Sequence, residues 1–129
     1  MFVDTSVIVA IIQQEEGWEA YATALRQART IYVSPLCRWE AVRALLKVRT
    51  VSLETAQQSV DQFFETIHAR MINISSDIGK LAEQAAATYG MARHPAALNF
   101  GDCFSYACAK AYHVPLLYKG NDFSQTDLA

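Results

Sequence analysis

Four acidic residues, far apart in the chain, each occur where an apolar run or a loop gives way to a predicted helix. They are Asp4, Glu40, Asp102 and Asp122. If the fold brings these side chains together, their carboxylates form an all-oxygen pocket in which the charges repel one another unless hard divalent cations are bound. Water activated by such cations hydrolyses phosphodiester bonds. The four acids therefore predict metal-dependent phosphodiester hydrolysis.

Each acid, taken singly, also has an ordinary structural explanation. Asp4 and Asp122 follow predicted strands, where an aspartate often caps the next helix. Glu40 has a cation three residues later, Arg43, and such surface ion pairs are common and weak. Asp102 lies in a first helical turn, where the helix dipole favours a carboxylate. These explanations require four coincidences, whereas a shared site requires one cause.

Short apolar runs alternate with helical periods along the chain, which predicts an α/β fold with a parallel sheet of short strands flanked by helices. The predicted strands are Phe2–Asp4, Ile31–Ser34, Met71–Ile74 and Val114–Tyr118. Ligands of open parallel sheets bind beyond the carboxyl ends of the strands. Asp4 and Asp122 are therefore expected at one edge of the sheet.

The helix that carries Glu40 is expected to begin after Ser34 as its N-cap, with Pro35 in the first turn. Its predicted apolar stripe is Trp39, Val42 and Leu46. Glu40, Arg43 and Lys47 follow on a neighbouring stripe at helical spacing, so an acid shares a face with two cations that are candidates for RNA contact.

In the helix that carries Asp102, one face is predicted to join the core and the other to face outward. The predicted core stripe is Phe100, Phe104, Ala107 and Ala111. Asp102, Tyr106 and Lys110 recur at i, i+4 and i+8 on the opposite side. Asp102 is therefore expected to point out of the core, and Lys110 is a further candidate for RNA contact.

Two more helices have clear boundaries. One is expected after Ser52, and the next after Ser75 or Ser76, ending at Gly90 in the left-handed conformation that glycine adopts readily. The segments 18–28 and 52–69 carry more apolar side chains than one packing face needs, and Phe63 with Phe64 widens the second stripe. This surplus predicts self-association or the docking of a partner.

Composition limits the alternatives. A chain of 129 residues with 52% hydrophobic residues suits one domain spanning residues 1–129. Its net charge of −2 gives no global basic character, so any contact with nucleic acid must come from local basic patches. The longest apolar stretch, Val7–Ile12, is too short to cross a membrane, and we expect a cytoplasmic protein. Three cysteines are expected as buried, reduced thiols, and the three histidines lack zinc-site spacing.

Four segments, VDTS, SPLCRWEA, LNFGDCFSYACAK and PLLYKGNDFSQTDL, occur in an order and spacing that resemble a PIN domain, most closely the VapC-type toxins of bacterial toxin-antitoxin pairs. The resemblance extends from Phe2 to Leu128. It implies a PIN-like α/β/α sandwich and an endoribonuclease that uses Mg²⁺, with Mn²⁺ as a substitute. It also implies an RNA substrate, a homodimer or higher toxin-antitoxin assembly, and a cognate antitoxin that lays a helix in a groove and a basic side chain in the acidic pocket.

The same resemblance suggests roles for individual residues. Asp4, Glu40, Asp102 and Asp122 match the acidic quartet of the family, and Asp4 with Asp102 match the direct metal ligands. Ser6 matches a small hydroxyl position near Asp4. Asn99 and Asn121 lie beside members of the quartet and are expected to be polar groups of the pocket.

Two other functions remain open from the residues. A PIN-like module that binds RNA or a protein without cutting would need the same fold, although it has no reason to gather unpaired acids in one crevice. A receiver-like phosphoacceptor module also collects acids and a lysine at the ends of parallel strands. It requires adjacent acids after the first strand, whereas Asp4 is followed by Thr5.

Overall fold

The computed structural model describes all residues from Met1 to Ala129 and contains one parallel sheet of four short strands. The strands are β1 (Phe2–Val3), β2 (Tyr32–Val33), β3 (Arg70–Met71) and β4 (Leu116–Leu117). Their order across the sheet is β3-β2-β1-β4. Phe2 pairs with Tyr32 on one side and with Leu116 on the other. The predicted α/β class and parallel sheet are confirmed.

Six helices flank this sheet. They are α1 (Thr5–Ile12), α2 (Trp18–Gln27), α3 (Pro35–Val48), α4 (Leu53–Thr66), α5 (Ser76–Tyr89) and α6 (Phe100–Ala111). The side chains of Ser34, Ser52 and Ser75 each accept a hydrogen bond from the backbone N–H three residues later, so the predicted N-caps of α3, α4 and α5 are confirmed. None of the helices is long and apolar enough to span a membrane.

The centre of the sheet is β1, whose residues Phe2 and Val3 are completely buried. Asp4 follows immediately and caps α1, and its N–H donates to the Leu117 carbonyl of the neighbouring β4 at 3.0 Å. The carboxyl ends of β1 and β4 are thus tied together at the point where the first acid leaves the sheet.

The predicted apolar stripe of α3 is correct for Val42, which is buried, but wrong for Trp39 and Leu46. Trp39 is 59% exposed and Leu46 is 39% exposed. The buried residues of the helix are Cys37, Ala41, Val42 and Leu45. Small side chains let α3 approach α1 and α6 closely, so the helix turns its compact face inward and leaves the tryptophan outside.

The predicted orientation of α6 is correct for Ala107, which is buried, and for Phe104, which packs against the core, but wrong for Phe100 and Asp102. Phe100 is 70% exposed, whereas Asp102 is only 9% exposed. The buried face consists of Gly101, Asp102, Cys103, Ser105, Ala107, Cys108 and Ala109. Helix α6 packs closely against α5, α3 and the sheet, and small residues on its core face make this possible. The core face of α6 therefore cannot be found from the positions of its largest apolar side chains.

Gly90 ends α5, but not in the left-handed conformation that was predicted. Its φ of −68° and ψ of 169° are extended values that any residue adopts. The glycine is required by a close approach instead, because a Cβ atom would lie 2.2 Å from the Ala86 carbonyl oxygen. The loop that follows returns to pair Gly90 with Leu98 just before α6.

Replacing Gly90 by alanine is expected to destabilise the fold by about 1–3 kcal/mol, because the backbone must move to relieve the clash with Ala86. Gly79→Ala is the matched control on the same helix, since a Cβ there meets no atom within 4 Å. That variant should gain about 0.5–1 kcal/mol from helix propensity. Urea denaturation of both variants measures the difference, and equal stability of the two would contradict the clash.

Candidate active site

Asp4 is held at the edge of the sheet by three hydrogen bonds to its carboxylate. Oδ2 accepts from the Ser6 N–H at 3.0 Å and from the Ser6 hydroxyl at 2.6 Å. Oδ1 accepts from the hydroxyl of Ser105, a buried residue of α6, at 2.6 Å. The Ser6 hydroxyl also accepts from the Lys119 N–H at 2.9 Å, so one small side chain links Asp4 to the segment after β4.

Glu40 reaches the same region from α3. Its Oε1 accepts from the Thr5 hydroxyl at 2.9 Å, and its Oε2 lies so close to Gly101 that a Cβ on that glycine would be 2.3 Å away. Burial raises the pKa of Glu40, and the charge of Asp4 raises it further. The Thr5 hydrogen bond and the Arg43 charge oppose this rise only in part. Helix α6 thus approaches the Glu40 carboxylate at Gly101, which has no side chain to collide with it.

Asp102 and Asn99 form a capping box at the start of α6. The Asn99 side-chain oxygen accepts from the Asp102 N–H at 2.9 Å, and Asp102 Oδ2 accepts from the Asn99 N–H at 3.1 Å. The pKa of Asp102 is raised to about 6, mainly by burial and also by the charges of Asp122, Asp4 and Glu40. The hydrogen bond from the Asn99 N–H opposes this rise. The four predicted acids therefore interact electrostatically, and we call them together the acid site.

Asp122 is the most exposed member of the acid site and lies in the loop after β4. The chain reaches it through Gly120, whose φ of 93° is the left-handed region that favours glycine. Asn121 next to it uses its backbone carbonyl to accept from the Ser124 N–H and hydroxyl, at 3.1 and 2.7 Å. Ser6 and Asn99 thus contact members of the acid site directly, whereas Asn121 contributes to the turn.

No member of the acid site has an ion-pair partner. The three ion pairs of the chain are Arg38 with Asp61, Lys110 with Asp127, and Lys119 with Glu15. Of the three cations considered for RNA contact, Lys110 is engaged by Asp127, whereas Arg43 lies over the Trp39 ring at 5.7 Å and Lys47 is exposed. The acid site therefore carries negative charge that no ion pair within the protein neutralises.

The sequence matches the family described as PIN domain over residues 1–128. The chain belongs to the PIN-domain family. A VapC ribonuclease of Rhizobium meliloti (strain 1021) is 47% identical, with 98% of each chain covered, and ribonuclease VapC36 of Mycobacterium tuberculosis is 41% identical, with 99% of this chain and 91% of the relative covered. The family assignment leaves the receiver-like alternative without support.

Solved structures share the fold of this PIN domain. VapC20 of Mycobacterium tuberculosis, described as a sarcin-ricin loop cleaving toxin, aligns with a TM-score of 0.76 at 16% identity, covering 99% of this chain and 95% of that one. A chain of a toxin-antitoxin complex from Klebsiella pneumoniae aligns with a TM-score of 0.73 at 17% identity, covering 98% and 92%. At these identities the likeness concerns the fold.

The donor set of this PIN domain fits a hard divalent cation in its chemistry. It consists of carboxylate oxygens whose charges have no basic partner, which is the environment that Mg²⁺ and Mn²⁺ prefer. No three acidic, histidine or cysteine side chains are gathered closely enough to form a ready-made metal cage. Mg²⁺ does not require one, because it commonly uses one or two carboxylates and keeps several waters.

Three positioning residues were not identified from the sequence. Thr5 holds Glu40, Ser105 holds Asp4, and Gly101 leaves the space that Glu40 occupies. Gly101 had a local signal, since glycine inside a helical period usually has a packing reason. Thr5 and Ser105 had none, because their partners are 35 and 101 residues away in the chain.

Asp102→Asn is expected to stabilise the metal-free protein at neutral pH by on the order of 1–3 kcal/mol, because it removes a disfavoured charge and keeps an acceptor for the Asn99 N–H. The folded pKa of Asp102 is about 6 against an ordinary 3.8, so between these values the folded state binds more protons than the unfolded state. The free energy of unfolding of the wild type must therefore fall as pH rises through this window, relative to the variant.

Chemical denaturation in EDTA at several pH values measures this difference. Asp77→Asn is the matched control, since Asp77 is an exposed acid in the first turn of α5. Parallel stability curves for the wild type and Asp102→Asn across the window would contradict the electrostatic description of the acid site.

Proposed function

We propose that this PIN domain is a metal-dependent endoribonuclease that acts as the toxin of a type II toxin-antitoxin pair in the cytoplasm, with residues 1–129 forming one functional domain. The observation that carries the proposal is the acid site, in which four uncompensated carboxylates interact at the carboxyl edge of the sheet. The identity of 47% with a protein named VapC ribonuclease supports the same activity.

The hydrogen bonds of the acid site indicate which oxygens remain free for a cation. A carboxylate oxygen has two lone-pair sites. Asp4 Oδ2 already accepts two hydrogen bonds and Oδ1 accepts one, whereas Asp102 accepts only one, at Oδ2. We therefore infer that Asp4 and Asp102, each of which keeps free lone-pair sites, are the residues that would hold Mg²⁺ or Mn²⁺. When bound, such an ion supplies a water of lowered pKa and compensates charge on the phosphate.

The other residues orient these groups and handle protons. Ser105 and Ser6 fix the Asp4 carboxylate, so that its free lone pair has one direction. Glu40 is fixed by Thr5 at Oε1, and its raised pKa suits it to accept a proton from an attacking water. Asp122, in the exposed loop, completes the negative charge of the pocket or shares this task. In-line attack of water on phosphorus, with the 3′ oxygen as the leaving group that takes up a proton, predicts 5′-phosphate and 3′-hydroxyl products.

The proposed activity is tested by incubating total bacterial RNA with the purified protein in Mg²⁺, in Mn²⁺ and in EDTA. Asp4→Asn and Asp102→Asn should each reduce the cleavage rate by roughly 100-fold or more, because each removes charge that holds the cation. Asp77→Asn should cut at the wild-type rate, since Asp77 lies on exposed helix surface. Cleavage that survives EDTA or both site variants would refute the mechanism, and binding of RNA without any cleavage would favour a non-catalytic module.

The proposed partner is an antitoxin, and the structure offers a groove for it. A groove of about 550 Å³ opens between the end of α1, α2 and α4. Ile11, Leu25, Phe63 and Ile67 contribute to its apolar lining. Leu25, Phe63 and Ile67 belong to the segments 18–28 and 52–69, in which the sequence shows an apolar surplus. Arg26 and Arg29 also line the groove, so its occupant is best described as an amphipathic helix with acidic side chains at its margin.

We also propose that the toxin forms a homodimer or a higher assembly with its antitoxin.

Ala22→Glu tests this assignment, because Ala22 lines the groove and a glutamate there would place a larger, charged side chain beneath a docked helix and would pair with Arg26 in place of the partner's acids. The variant should bind the product of the adjacent reading frame at least about 10-fold more weakly by calorimetry. Ala20→Glu is the control, since Ala20 is exposed on the same helix and does not line the groove. RNA cleavage should persist in both variants, and unchanged affinity of Ala22→Glu would place the antitoxin elsewhere.

A further inference from the structure

The two most exposed aromatic side chains of the protein each directly precede a residue of the contact between α3 and α6 at the acid site. Phe100 is 70% exposed and directly precedes Gly101, and Trp39 is 59% exposed and directly precedes Glu40. Gly101 and Glu40 are in contact with each other. Two helices that are distant in sequence thus each carry a large, solvent-exposed ring one residue before the point at which the helices meet, with Trp39 in a groove beside α4 and Phe100 in a groove beside α5. We call Trp39 and Phe100 the aromatic rim.

Each ring of the aromatic rim lies in a groove that also contains an arginine. The Trp39 groove has a volume of about 520 Å³, and the Arg43 guanidinium lies over the indole at 5.7 Å. Arg43 has no ion-pair partner. The Phe100 groove has a volume of about 510 Å³, includes Arg93, and places Phe104 at 5.0 Å from the Phe100 ring centroid. A flat ring beside a guanidinium is the combination that binds single-stranded nucleic acid.

We propose that Trp39 and Phe100 stack on unpaired RNA bases on either side of the phosphodiester at the acid site. This inference rests on the proposed function. Without a bound cation the acid site repels phosphates, so its surroundings must contribute to the affinity for RNA, and base stacking supplies affinity that does not depend on charge. The aromatic rim is therefore a set of positioning residues that selects unpaired segments, since a paired base does not present its face.

The test measures binding apart from cleavage, with the Asp4→Asn variant as the parent protein in Mg²⁺. The probes are a short, unstructured, fluorescein-labelled RNA and the same RNA annealed to its complement. Adding Trp39→Ala or Phe100→Ala should weaken binding of the single strand by about 5- to 100-fold each and leave duplex binding unchanged. Trp39→Phe and Phe100→Tyr should retain most of the affinity, because they keep a flat ring.

Leu46→Ala is the matched control, because Leu46 lines the Trp39 groove and is exposed but is not aromatic. It should leave RNA affinity unchanged. In a Trp18→Phe background the remaining indole is Trp39, and its fluorescence should be quenched by the single strand if a base stacks on it.

Three results would overturn the proposal. Unchanged affinity of either alanine variant removes that ring from the RNA path, and equal losses on single strand and duplex indicate electrostatic contact without stacking. If light scattering shows that the alanine variants lose self-association while RNA affinity is retained, the aromatic rim is a protein interface. The binding test uses a parent protein that does not need to cut RNA, so its outcomes are independent of the cleavage assay. A failure of the cleavage assay would refute the proposed nuclease activity, and base stacking could still be measured.

Discussion

The structure depends on holding several carboxylates within electrostatic reach of one another without an ion-pair partner. Such a cluster is costly, and burial together with three neighbouring acids keeps the pKa of Asp102 near 6. The protein offsets this cost locally, with serine hydroxyls on both oxygens of Asp4, the Thr5 hydroxyl on Glu40 and a capping box on Asp102. The hydroxyls of Ser105, Thr5 and Ser6 each also join segments that are distant in the chain. The same hydrogen bonds that make the acid site tolerable therefore fix the relative positions of α1, α3, α6 and the end of β4.

Small residues make this convergence sterically possible. Helix α6 passes beside Glu40 at Gly101, where a methyl group would already collide with the carboxylate. Its buried positions after that point are cysteine, serine and alanine, which let it pack closely on its neighbours. Trp39 of α3 and Phe100 of α6 are consequently left at the surface. Close packing of the backbone and the exposure of Trp39 and Phe100 are thus two results of one arrangement.

Local features of the fold were predictable from the sequence, because they depend on residues close together in the chain. The strands, the serine caps and the alternation that gives a parallel sheet belong to this class, as does the placement of Asp4 directly after β1. The inward face of α3 and α6 was not predictable in this way, because close packing favoured small residues over the large apolar ones that periodicity emphasises. Ser105 was missed for a related reason, since its contact with Asp4 spans 101 residues and leaves no trace in the local pattern.

Helix α1 connects the acid site with the groove between α2 and α4. Its N-cap is Asp4, and Ile11 near its other end lines the groove. Eight residues of α-helix extend about 12 Å. An extended peptide covers that distance in about four residues. One partner chain whose helix occupies the groove can therefore bring a cation to the acid site without displacing any element of the fold. Since the cluster lacks an internal cation, a basic side chain delivered along α1 would meet the same uncompensated charge that attracts the metal, and inhibition by such a partner follows from electrostatics and reach.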